Sequence, residues 1–154
     1  MSQHRREFVK SLLLLFFSTF CCFSFSAPYT PSPGNPERVA ICDALRVYVV
    51  EQHAHAKPRK KIVFKIRYLK VKGDFAFFQG TPVYEDGSDA LYDCLMDMDY
   101  SLLMEKENGT WRVLADFCGT DVPPAEWWRN VRRTLPDSLP RGILPASYRE
   151  LLGY

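Results

Sequence analysis

Asn108-Gly109, set between two alternating apolar runs, fixes more of this chain's fold than any other pair of residues. Asn-Gly is the strongest two-residue hairpin signal, because both residues accept the positive φ that a tight antiparallel turn requires. If the turn closes Glu107 against Thr110, Met104 faces Val113, Leu102 faces Ala115 and Tyr100 faces Phe117, all six on one sheet face. The other face then pairs Glu105 with Arg112, opposite charges, and Leu103 with Leu114. Both faces make sense together, which a one-residue slip would destroy. Leu103 and Leu114 further imply that the outer face is partly covered too, with the C-terminal segment as the natural cover. The sequon Asn108-Gly109-Thr110 is better read as this turn than as a glycosylation site.

The hairpin is preceded by a helix and two more strands. Asn35-Pro36 is a strong helix start, since Asn caps well and Pro is tolerated at the first helical position. The helix is predicted to run to about Gln52, with Ile41, Ala44, Leu45 and Tyr48 on one face and Val49 at its edge. Ile62, Phe64, Ile66 and Tyr68 then alternate as a strand. The apolar parity flips to Leu69 and Val71, which predicts a bulge or sharp twist near Tyr68. Gly73-Asp74 supplies a turn, Phe75 to Gln79 returns, and Gly80, Pro82 and Glu85 to Asp89 mark a loop. Thr120 or Asp121 is placed to cap a short helix opened by Pro123-Pro124, which presents Trp127 and Trp128. The tail beyond has Pro136, Pro140 and Pro145 and reads as irregular, with a last helical turn near Ser147 to Leu152.

The N-terminus carries an export signal. Arg5, Arg6 and Lys10 precede an apolar run from about Ser11 to Phe23. Ser24-Phe25-Ser26 puts small residues where a signal peptidase reads them, so cleavage after Ser26 is preferred. R-R-E-F-V-K resembles the twin-arginine export motif, and the same residues fit an ordinary secretory signal. The apolar run falls short of the ~20 residues a spanning helix needs, so the membrane is met only through the signal during export. Phe20 is too large to precede a lipidated Cys21. Residues 1–26 are therefore read as signal peptide, 27–34 as an extended Pro-containing leader, 35–131 as one α+β domain and 132–154 as a Pro-containing tail.

Processing changes the charge argument. The whole chain has 20 basic and 18 acidic residues; the signal takes three basic (Arg5, Arg6, Lys10) and one acidic (Glu7), leaving 17 of each. A neutral mature protein gives no support for a nucleic-acid partner. The charges are segregated, however. Lys57 to Lys72 holds eight cations and no acid, Glu85 to Asp99 holds six acids, and Arg129, Arg132, Arg133, Arg141 and Arg149 stand near the C-terminus. Such blocks either neutralise one another within the fold or steer a charged partner.

The layout of helix, four strands and short helix resembles the cystatin-like α+β architecture, which is also the core of nuclear-transport-factor-like domains. The expected fold class is therefore α+β: an N-terminal helix packed on a four-stranded antiparallel sheet, with a short C-terminal helix. A second likeness rests on Ile41-Cys42-Asp43-Ala44-Leu45-Arg46, Leu69-Lys70-Val71-Lys72-Gly73-Asp74-Phe75-Ala76-Phe77, Leu102-Leu103, Gly109-Thr110-Trp111-Arg112-Val113 and Gly119-Thr120-Asp121-Val122-Pro123. This pattern is similar to an uncharacterised family of small secreted bacterial proteins, over about Arg38 to Trp128. That resemblance implies a secreted or periplasmic protein with a buried Cys42, since an aliphatic often stands at that position. It implies no activity.

Few residues suggest chemistry. Asp97 and Asp99 share one side of a strand, a spacing that can bind a cation or split acid and base roles, although solvated carboxylates at a strand start are commoner. His53-Ala54-His55 lacks an adjacent third ligand, and basic side chains suit a helix C-terminus. Asp43 with Tyr68 or Tyr100 is a crude analogue of the carboxylate and tyrosine that some nuclear-transport-factor-like enzymes hold between helix and sheet, but Asp43 lies off the apolar face. Of Cys42, Cys94 and Cys118, two can form a disulfide in an oxidising compartment, and all three pairings are open. No metal or cofactor is expected. Three functional classes follow. The leading one is a non-enzymatic envelope protein that binds a protein or an envelope polymer through Lys65, Arg67, Trp127, Trp128, Asp97 and Asp99. The second is a small-ligand pocket, or a lyase- or isomerase-like enzyme, between helix and sheet. The third is an inhibitor or immunity-like protein acting against an envelope hydrolase.

Overall fold

The computed structural model describes residues 26–52, 60–88, 99–117 and 123–154. Helix α1 (Pro36–Gln52) starts where the sequence puts it and reaches the last described residue of this segment. The Asn35 side chain accepts a hydrogen bond from the Glu37 N–H at 2.8 Å, satisfying a donor that a helix start leaves open. Ile41, Leu45 and Val49 are the buried residues of this helix. Each apolar side chain so buried contributes about 1.5–3 kcal/mol.

Four strands follow: β1 (Ile62–Lys72), β2 (Phe75–Tyr84), β3 (Tyr100–Glu107) and β4 (Thr110–Asp116). They form one antiparallel sheet in the order β1-β2-β3-β4. The α+β class is as expected, with a helix packed on a four-stranded antiparallel sheet and short C-terminal helical elements. The parity flip in β1 is a bulge: register shifts between Ile66 and Tyr68, and Arg67 is the extra residue. Ile62, Phe64 and Ile66 therefore pack with the α1-side core, Tyr68 packs on the opposite face, and Leu69 and Val71 return to the α1 side. Strand β2 runs past the expected loop at Gly80 and Pro82. Among the described residues its pairing with β3 ends at Gly80 opposite Tyr100, so none of them needs the missing N–H of Pro82.

The hairpin closes as the Asn-Gly pair requires, with Asn108 and Gly109 at φ 51° and 81°. Glu107 faces Thr110, Glu105 faces Arg112 and Met104 faces Val113. Beyond that the expected register fails. A second irregularity lies between Leu103 and Met104, so Leu103 faces Ala115 rather than Leu114, and Leu102 faces Asp116 rather than Ala115. Leu114 and Ala115 both pack toward the second face. The shift also separates the expected Tyr100 and Phe117 pair. Tyr100 joins the α1-side core, whereas Phe117 lies in the other cluster and donates its N–H to the Ser101 carbonyl at 2.9 Å.

That other cluster is a second core. Helix α2 (Ala125–Thr134), a 3-10 turn (Arg141–Ile143) and helix α3 (Ala146–Leu151) lie over the face opposite α1. Phe75, Phe77, Leu103 and Phe117 from the sheet side meet Trp128, Leu135, Leu139, Ile143, Leu144 and Leu152. The covering role expected of the C-terminal segment is thus observed, and it extends through the Pro-containing tail. The prolines set the turns: carbonyls of Pro136, Pro140 and Pro145 accept from Leu139, Ile143 and Arg149. Tyr68 donates to the Ile143 carbonyl at 3.0 Å, tying the β1 bulge to this layer.

The leader is extended and fastened. Tyr29 and Val71 exchange both backbone hydrogen bonds, at 2.9 and 2.8 Å, and the Thr30 hydroxyl donates to the Leu69 carbonyl at 2.9 Å. Pro31 is fully buried. The leader therefore covers the outer edge of β1 from Leu69 to Val71. Among the described residues no helix is long and apolar enough to cross a membrane.

Candidate functional site

The outer edge of β1 is open before the bulge, and the reason lies in strand parity. In an antiparallel pair, residues alternate between those that bond to the neighbour and those whose N–H and C=O point away. Phe64 stands opposite Pro82, which has no N–H to give, and Val71, which bonds the leader, shows where the outward set resumes after the bulge. The outward set before the bulge is therefore Ile62, Phe64 and Ile66. The Ile62 carbonyl is taken by Arg46 Nε at 2.7 Å. Among the described residues no backbone group bonds Phe64 or Ile66 on this side.

Cations flank this stretch. Lys60, Lys61, Lys65 and Arg67 are exposed. Lys60 pairs with Asp86, Lys61 with Glu85 at 3.2 Å, and Arg67 with Asp99. Part of the basic block is thus met by acids of the β2 end and the start of β3, as one of the two charge readings anticipated. Asp86 is held well below the usual carboxylate range, chiefly by the Lys60 ammonium and then by the Ser88 hydroxyl and N–H. Lys65 stands opposite Thr81 in the sheet and makes no ion pair among the described residues.

The structure brings together Lys65, Arg67 and Asp99, three of the residues singled out from sequence. Arg67 projects because it is the extra residue of the bulge. The Thr81 hydroxyl donates to Asp99, and Gln79 Nε2 donates to the Ser101 hydroxyl at 3.0 Å. Thr81, Gln79 and Ser101 were not signalled by sequence, because polar residues on an alternating strand look the same whether solvated or clustered. Asp97 lies outside the described residues, as do Cys94, Cys118, His53, His55, Thr120 and Asp121.

Trp127 and Trp128 belong to α2 of the C-terminal layer rather than to this edge, and they divide into two roles. Trp128 is only 6% exposed and belongs to the second core. It stacks on Phe117 at 6.1 Å and 16° and meets Tyr148 edge-on at 5.9 Å. It therefore presents no face to a partner, which corrects its reading as a surface residue. Trp127 is half-buried and packs edge-on against Trp128 at 4.7 Å. The reason is rotation around α2: with Trp128 turned inward, the preceding residue sits at the rim.

The space between α1 and the sheet is filled by side chains. Ile41, Leu45, Val49, Leu69, Phe78, Leu102, Met104 and Tyr100 pack together there. Tyr68, named from sequence as one partner for Asp43 in this space, lies on the opposite face together with Phe77. Asp43 is exposed and pairs with Arg46. A different pair closes the interface: the Tyr48 hydroxyl donates to Asp116 at 2.6 Å, with Tyr100 edge-on to Tyr48 at 6.4 Å. The β4 irregularity turns Asp116 toward α1, so an unbulged register hides this contact from sequence reasoning. Cys42 is unpaired and half-buried, and burial pushes its thiol pKa up against the lowering effect of Arg46 and Arg38. Among the described residues no group of three or more His, Cys, Asp and Glu side chains could hold a metal ion. No protein-family model, curated protein or solved structure matches the chain.

Proposed function

We propose that this is an exported, non-enzymatic envelope protein that binds a protein partner by accepting an extended, acidic segment along the open half of β1. The observation that supports the reading is the outward row at Phe64 and Ile66. It stops on one side at the bulge and leader, and on the other at the Arg46 contact to Ile62. Strand addition to such an edge takes its affinity from main-chain hydrogen bonds and its selectivity from flanking side chains. Lysines on an edge also guard against indiscriminate pairing with other chains. Lys65 and Arg67 serve both purposes here, since they disfavour basic or plain apolar strands and favour acidic ones. The filled α1–sheet interface favours this surface role over a small-ligand pocket or enzyme in that space, because a ligand would have to displace buried side chains.

The test is site-specific photo-crosslinking in the producing cell, with the photoreactive residue at position 65. Wild type is expected to give a discrete adduct that disappears when Arg67 is changed to Glu and persists when an exposed arginine of the C-terminal layer, Arg133, is changed to Glu. An adduct unaffected by Arg67→Glu, or no adduct in envelope fractions that contain the protein, would remove the reading.

A further inference from the structure

The C-terminal layer holds arginines that the edge-binding role does not use. Residues 123–154 contain five arginines (Arg129, Arg132, Arg133, Arg141, Arg149) and three acids (Glu126, Asp137, Glu150). Arg133 bonds the Asn130 side chain at 3.2 Å. Among the described residues none of the five forms an ion pair with a carboxylate. Uncompensated arginines on a layer that also supplies acids contrast with Lys60, Lys61 and Arg67, each of which is met by a carboxylate.

Two of them are gathered around one ring. The Arg132 guanidinium carbon lies 4.4 Å from the Tyr154 ring centroid, and that of Arg141 lies 4.7 Å from it. Arg132 comes from α2 and Arg141 from the 3-10 turn, so the chain has to fold back on itself to bring them together. The ring packs against the second core, and the backbone beneath it is held by the Tyr154 N–H, which donates to the Arg149 carbonyl at 2.8 Å. Stacking over an aromatic face uses the π surface of a guanidinium and leaves its in-plane N–H donors free. Two such forks, sharing one tyrosine and neither of them in an ion pair among the described residues, are held in place in advance of a ligand, so less side-chain entropy is lost when one binds.

We infer that Arg132, Arg141 and Tyr154 form a binding site for a phosphate group, with the tyrosine ring holding two guanidiniums that donate to the phosphate oxygens. Tetrahedral oxyanions suit this arrangement because each arginine fork can donate two parallel hydrogen bonds to a pair of oxygens. The site stands on a different surface feature from the β1 edge and does not depend on that reading. Free phosphate and the phosphate of an anionic lipid headgroup share the chemistry, and the experiment separates them.

The experiment uses the processed protein and follows the arginine Nε–H signals by NMR during titration with inorganic phosphate, with chloride at equal ionic strength as control. Saturable shifts at Arg132 and Arg141 are expected with phosphate and not with chloride. Arg132→Gln or Arg141→Gln should each weaken binding about tenfold or more, as loss of a charge-assisted donor pair does, and Arg133→Gln should leave it intact. Tyr154→Leu, which keeps an apolar anchor, should weaken binding while the far-ultraviolet circular dichroism spectrum stays unchanged. Sedimentation with phosphatidylglycerol and phosphatidylcholine vesicles then assigns the source. Arg132- and Arg141-dependent binding to phosphatidylglycerol alone assigns a lipid headgroup, and saturable phosphate binding without vesicle binding assigns a soluble phosphate. The inference is overturned if neither probe gives a saturable response at these two arginines. It is also overturned if the glutamine variants bind both probes as wild type does, or if Tyr154→Leu leaves binding unchanged.

Discussion

Replacing Trp128 with Ala measures what the second core contributes. Trp128 is 6% exposed and touches three other rings: Phe117 stacked at 6.1 Å, Tyr148 edge-on at 5.9 Å and Trp127 edge-on at 4.7 Å. Truncating a buried tryptophan costs about 3–5 kcal/mol through lost transfer energy and the cavity left behind. Each aromatic pair adds about 0.5–1.5 kcal/mol beyond its buried area, so the upper part of that range is expected. Against a total stability of about 5–15 kcal/mol, the loss leaves a marginal fold. With a urea slope of about 2 kcal/mol/M, the unfolding midpoint should fall by about 2 M. The assay is equilibrium urea unfolding followed by circular dichroism, with Trp127→Ala as comparator. Because Trp127 is only half-buried, its truncation should cost clearly less. A loss below about 1 kcal/mol for Trp128→Ala, or equal losses for the two variants, would refute the placement of Trp128 in a packed core.

Three other outcomes follow from the same geometry. A Cβ built on Gly80 would lie 2.6 Å from the Lys65 carbonyl oxygen and 2.9 Å from the end of the Phe78 ring. Gly80→Ala should therefore destabilise by about 1–3 kcal/mol in thermal or urea unfolding, although alanine ordinarily suits a strand better than glycine; a neutral or stabilising effect would contradict the close approach of β1 and β2 at the bulge. Glu37 has its pKa lowered overall: burial acts to raise it, but the hydrogen bonds from Lys106 and Tyr29 outweigh that. A depressed carboxylate contributes stability above its unfolded value, and that stability is lost as pH falls through the folded value. Melting temperature should therefore decline more steeply on the acid side of the ordinary glutamate range in wild type than in Glu37→Gln, and superimposable pH profiles would count against the contact. The Cys42 thiol, raised by burial, should react with iodoacetamide at pH 8 far more slowly in the folded protein than in urea, as peptide mapping of the alkylated site would show; equal rates would place it at the surface.

Much of this fold is readable from local rules, and the gaps have physical causes. Asn35-Pro36 and Asn108-Gly109 each demand a particular backbone, so a helix start and a turn follow directly from them. The flip from Ile66 to Leu69 has no unbulged solution that keeps both apolar sets inside, so the β1 bulge is also legible. The β4 irregularity leaves no such mark. Leu114-Ala115-Asp116 keeps an apolar residue on each face in the regular register as well, and tertiary packing decides between them. With that shift hidden, the Tyr48–Asp116 contact is hidden too. Gly80 and Pro82 read as loop residues because both are depleted in strands. Here one admits a close backbone approach, and the other lies beyond the last β2–β3 pair of the described residues. Lys65, Arg67 and Asp99 were visible as charges, but their grouping at an open edge required the bulge and the pairing of β1 with β2 to be known together.

The central claim is that β1 presents an unpaired edge at Phe64 and Ile66, and residue-resolved amide hydrogen exchange tests it most directly. In the free protein the Phe64 N–H should exchange far faster than those of Val63 and Lys65, which bond to β2, and than that of Val71, which the leader covers. Addition of an acidic peptide of alternating glutamate and valine should slow Phe64 and Ile66 and leave Val71 unchanged. Uniform protection along β1 in the free protein, or no response of these two amides to the peptide, would contradict the account.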